Sequence, residues 1–82
     1  MKSPHHYQAL HQQAPRPDAV IASSDDTQKI KARARKFMQT QKLDPARDQF
    51  SIVDSFGNVL TAAYKVNAAG YLTGNIEWVA QP

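Results

Sequence analysis

The sequence has no cysteine, which removes disulfides, thiolate nucleophiles and sulfur-ligated metals from consideration. Glycine is scarce as well. Gly57, Gly70 and Gly74 are scattered and do not compose a phosphate-cradling loop. Residues 1–30 lack the continuous apolar stretch of a signal peptide, and no run approaches the ~20 apolar residues that span a bilayer. A cytoplasmic protein, with no membrane partner, is the expectation.

Apolar side chains are sparse at the N-terminus too. Residues 1–18 hold three prolines and all three histidines, His5, His6 and His11, with only Tyr7 and Leu10 as sizeable apolar groups. Such a stretch buries too little surface to offset the entropy of ordering it, which predicts a disordered tail over 1–18 and one folded domain over 19–82. A unit this short buries only ~60% of the surface its unfolded chain exposes, so self-association as a homodimer through its sheet would help it.

What the chain does have is local pattern. Ala19–Ala22 reads as a short edge strand, since Val20 and Ile21 suit a pleated surface. Ser23-Ser24-Asp25-Asp26 is a helix start: a serine accepts free backbone N–H groups, Ser23 with Asp26 resembles a capping box, and the aspartates face the positive end of the helix dipole. Ile30, Ala34, Phe37 and Met38, followed by Gln41, form one apolar stripe and predict a helix from Thr27 to Leu43, stopped by Asp44-Pro45. Beyond it, alternating apolar residues around Phe50–Ile52, Leu60–Val66 and Leu72–Val79 are separated by turns at Phe56-Gly57-Asn58 and Asn67–Gly70. The fold class expected is α+β, one amphipathic helix on a three-stranded antiparallel meander, with the short extra strand at its edge. Phe50, Ile52, Leu60, Ala62, Tyr64, Leu72, Ile76 and Trp78 should face the helix, with Gly74 on the same face where the helix approaches closely.

Catalytic chemistry finds no parts in this plan. The histidines fall in the tail, where no fixed geometry can hold a metal, and none is left in the folded part to activate a serine or threonine. Asp44 stops the helix, Asp48 opens a strand, Asp54 sits beside a turn, and Glu77 points outward, so no carboxylate is placed in an apolar pocket that would tune it. The expectation is a non-enzymatic protein with no catalytic residue, no metal and no cofactor.

Charge placement is the remaining signal. The net charge is +3. Residues 24–43 carry six cations against two aspartates, a net of +4, whereas residues 44–82 carry Arg47 and Lys65 against four acids, a net of −2. On the expected helix, Lys29, Arg33 and Lys36 form one flank of the apolar stripe and Lys31, Arg35 and Lys42 the other. Three readings compete. The cations solvate the helix and cover its apolar flanks with their stems, or they neutralise phosphates of a nucleic acid, or they meet an acidic protein surface. Solvation is the commonest role of such a face; the leading functional reading is a nucleic-acid-associated binding module using Lys29, Lys31, Arg33, Arg35 and Lys36. The outer sheet face offers only Tyr71 and Lys65 for base stacking and phosphate contact, which disfavours a sheet-based RNA binder. Its small neutral residues suit packing against another sheet, and a structural, self-associating subunit is a further expectation.

The order helix, strand, strand, strand resembles part of the double-stranded RNA-binding domain. The second helix of that family has no counterpart in Val79-Ala80-Gln81-Pro82. The compact layout also resembles small phage and plasmid accessory proteins, anti-CRISPR inhibitors among them, which implies a module docking on a host complex. No specific residue carries either likeness.

Overall fold

The computed structural model describes residues 6–13 and 15–81. The chain runs β1 (Tyr7–Gln12), β2 (Ala19–Ser24), α1 (Thr27–Gln39), β3 (Gln49–Asp54), β4 (Val59–Val66) and β5 (Leu72–Ala80). All five strands join one antiparallel sheet in the order β2-β1-β3-β4-β5. The α+β class with a single helix stands, but the three-stranded meander does not: β3, β4 and β5 form one part of a five-stranded sheet.

The error lies in the N-terminal segment. Tyr7–Gln12 is not a disordered tail but a strand paired on both sides, Ala9 opposite Ala22 of β2 and opposite Ile52 of β3. Because β2 and β3 are both antiparallel to β1, they run parallel to each other, and α1 is the crossover between them. That crossover skips one strand position, and β1 fills the slot, as in other split β-α-β arrangements. Few large apolar groups are needed there. Ala9 is 1% exposed and packs with Ile30, Ala34 and Ile52, where two alanines let the helix lie close to the sheet. For residues 1–5, the tail expectation lies outside the described residues.

Helix boundaries also differ from the expected ones. Asp26 is the N-cap, its carboxylate accepting from the N–H groups of Gln28 (2.8 Å) and Lys29 (3.3 Å). Ser24 supports it by accepting from the Asp26 N–H, and no Ser23–Asp26 capping box forms. The helix ends at Gln39, not Leu43. Both the N–H and the hydroxyl of Thr40 donate to the Phe37 carbonyl and close the last turn. Leu43 then turns inward, its N–H donating to Gly70 O at 2.7 Å and its side chain joining Met38 and Phe50 in the core. Lys42 therefore leaves the helical flank and lies beside Gly70, whose φ of +93° suits glycine.

The residues expected to face the helix do so. Phe50 and Ile52 are buried, and Leu60, Ala62, Tyr64, Leu72, Ile76 and Trp78 pack around them. Gly74 is the exception: no atom lies within 4 Å of the space its side chain would fill, so it marks no close helix approach. Its φ of +68° instead belongs to an irregularity in β5, where the register against β4 shifts between Ala63 and Lys65. A second irregularity in β2 lets successive residues Ile21 and Ala22 both pack toward the core. Among the described residues, no element covers the opposite sheet face. No helix among the described residues is long and apolar enough to cross a membrane.

Candidate nucleic-acid interface

The stripe Ile30, Ala34 and Met38 is fully buried against the sheet, so the remaining helix surface is set by the 100° advance per residue. Lys29, Arg33 and Lys36 project toward the β2 side and are exposed. There Arg33 and Lys36, with Ile21, Ala22, Phe37 and Thr40, line an open groove between helix and edge strand. Lys31 and Arg35 lie on the β5 side and are half-buried, lining a second groove with Ile76 and Trp78. Between the two cationic flanks runs an exposed neutral row, Gln28, Ala32 and Gln39. The structure thus holds all five cations on one side of the molecule, but divides them three and two across the crest of α1.

These cations have no acidic counterweight. Among the described residues, none of the five has a carboxylate within ion-pair distance, whereas His11 pairs with Asp48. Arg33 alone is engaged, donating from Nη1 to Ser23 O at 2.6 Å. That bond occupies a backbone acceptor of the edge strand and blunts it against strand addition.

Sequence reasoning missed the His11–Asp48 pair. His11 lies in β1, stacked on Phe50 (centroids 4.6 Å apart, planes within 4°) and edge-on to Phe37. Its Nε2 is 2.9 Å from Asp48 Oδ1; an ionised carboxylate only accepts, so Nε2 carries the proton. Asp48 is 6% exposed, not a surface residue at a strand start, and its Oδ2 accepts from the Asp44 N–H at 2.9 Å. Burial pushes the carboxyl up. The hydrogen bonds from Asp44 and His11, with the charges of His11 and Arg47, outweigh burial and leave it below its ordinary value. The Tyr64 hydroxyl donates to the Asp48 carbonyl. Burial, followed by the charges of Asp48 and Asp44, raises this phenol to about 12. A signal for β1 was present: Tyr7, Ala9 and His11 alternate with Gln8, Leu10 and Gln12 at the period of a strand. A count of large apolar groups passes over it.

This pair binds elements together. No three His, Asp or Glu side chains among the described residues group as metal ligands. His6 is exposed beside the β3–β4 turn, its N–H directed at Ser55 Oγ, and His5 lies outside the described residues. Asp54 caps its own turn by accepting from the N–H groups of Phe56 and Asn58. Compared with protein-family models, curated proteins and solved structures, the chain matches none.

Proposed function

We propose that this protein is a non-enzymatic binding module that takes a nucleic acid onto α1, with Lys29, Lys31, Arg33, Arg35 and Lys36 neutralising phosphates. The observation that carries the reading is the set of five helical cations with no carboxylate within ion-pair distance among the described residues. Unpaired cations on one face cost self-repulsion that a polyanion relieves, releasing its condensed counterions as it binds. The test is titration with duplex and single-stranded DNA at a series of salt concentrations. If all five cations engage, log K falls against log salt with a slope of roughly −4.5 for duplex and roughly −3.5 for single strands. Reversing Lys29, Arg33 and Lys36 to glutamate should abolish binding without unfolding the exposed side of the helix. Absence of binding at low salt would overturn the reading.

The uncovered sheet face favours a second reading, self-association. Leu10, Val53, Val59 and Thr61 are half-buried there and Val20 and Val79 exposed, with Lys65 and Glu77 the charged groups of β4 and β5 on that side. Such a face suits sheet-on-sheet packing with a second copy. Sedimentation showing a strict monomer at high protein concentration counts against it.

A further inference from the structure

We infer that the groove between α1 and β5 seats a base of a single-stranded nucleic acid, a specialisation that rests on the phosphate-binding reading of the helix. The groove measures about 320 Å³, within the usual range of ligand sites, and its walls come from both elements. From α1 come Gln28, Lys31 and Arg35; from β5 come Asn75, Ile76 and Trp78. Each chemical part of a nucleotide has a counterpart among them. Lys31 and Arg35 match a phosphate, the amides of Gln28 and Asn75 match base edges, and the indole of Trp78 matches a base ring.

Three observations sharpen this assignment. The side-chain amides of Gln28 and Asn75 make no hydrogen bond among the described residues, although both residues are exposed beside cations. Trp78 Nε1 has no partner in the described structure, yet no buried side-chain polar atom lacks one, so this nitrogen reaches the surface. Strict alternation along β5 would put Asn75 on the outer sheet face with Thr73 and Glu77. In the irregular stretch that follows Gly74 it borders the outer-face groove with Thr73 and Glu77 and also the groove beside Ile76 and Trp78, so its amide is within reach of both. No carboxylate lines the groove, because Glu77 pairs with Ala63 on the other face.

The groove on the β2 side lacks this set. It offers Phe37, Lys36 and Arg33, but no side-chain amide, and its arginine already holds Ser23 O. A duplex cannot use the β5 groove, since its bases are stacked and their pairing edges occupied; an unpaired strand exposes both. Lys29, Lys36 and Arg33 then lie across the crest to receive further phosphates of the same strand, which favours a strand over a free nucleotide.

Trp78 is the single tryptophan of the chain, so its emission reports on this groove alone. The full chain is titrated with oligothymidine, with a duplex of equal length, with polyphosphate and with thymidine monophosphate. The strand should bind about tenfold tighter than the duplex at matched salt, as one stacked base provides, and should quench the tryptophan. Polyphosphate should bind without quenching. The double variant Gln28→Ala, Asn75→Ala should weaken strand binding about tenfold, leave polyphosphate binding unchanged and keep the wild-type circular dichroism. A strand that binds no tighter than duplex, or binds without altering the emission, overturns the groove and leaves the helix reading standing. Thymidine monophosphate that quenches with the affinity of the strand also overturns it, in favour of a nucleotide site. Failure of every probe to bind overturns both readings.

Discussion

Asp48 is held from three directions: by Nε2–H of His11 in β1, by the N–H of Asp44 in the preceding turn, and through its carbonyl by the Tyr64 hydroxyl of β4. Replacing it with asparagine removes the charge and one acceptor while its partners stay buried. The expected loss is about 1–3 kcal/mol, read from the urea midpoint at neutral pH. The pH dependence has a definite sign. The folded carboxyl lies below its ordinary value of 3.8, so its contribution is complete above that value and is lost as pH falls through the lower folded value. Wild type and Asp48→Asn should therefore converge in stability on acidification below 3.8. A constant gap throughout would contradict the geometry. Tyr64 acts at the opposite end. Its folded value, about 12 against an ordinary 10.0, means a contribution complete below 10 and lost as pH rises toward 12. The difference in phenolate absorbance between wild type and Tyr64→Phe isolates this group and should show a midpoint near 12.

At the scale of elements, α1 combines an Asp26 cap, a fully buried Ile30, Ala34 and Met38 stripe and a closing turn at Thr40. Asp26→Ala frees the N–H groups of Gln28 and Lys29 and should cost about 0.5–2 kcal/mol in a thermal or urea melt, with Asp26→Asn near neutral. An alanine variant as stable as wild type would remove the cap from the account. The existence, phase and apolar stripe of this helix were legible in the sequence, because capping and the 3.6-residue period involve neighbours a few positions apart. Its end was not. Asp44-Pro45 looks like the stop, but the chain leaves the helix earlier, since Leu43 gains a core position and a hydrogen bond to Gly70 by turning inward. Gly70 lies in the β4–β5 turn, and no local pattern near residue 40 carries that information. The β5 groove has the same origin: Gln28 of α1 and Asn75 of β5 border it only because the helix lies over that edge of the sheet.

Over the whole molecule, the central fact is that the N-terminal strand sits inside the sheet. Hydrogen exchange tests this directly. The amides of Tyr7–Gln12, which lie opposite β3 throughout and opposite β2 from Tyr7 to His11, should be protected to the degree of Gln49–Asp54 in β3. Rapid exchange of the first set alongside protection of the second would return the segment to a tail. The sheet divides the molecule into a cationic helix side and an uncovered, largely neutral side, so polyanion binding and self-association need not compete for the same surface. The five cations were legible as a set. Their division across a neutral crest, each flank bordering its own groove, follows from how α1 lies over the sheet.

The sequence by itself determined the helix, its buried stripe, its excess of positive charge and the three alternating strands that follow. Each of these is written in residues at most a few positions apart. Only the tertiary structure decided that Tyr7–Gln12 is a strand, that His11 serves Asp48 across 37 positions, and that Gln28 and Asn75 border one groove. The reason is physical. A strand that fills the slot left by a crossover is stabilised by backbone hydrogen bonds to partners distant in sequence, with an alanine where bulk would clash. Neither leaves a mark in hydrophobic content.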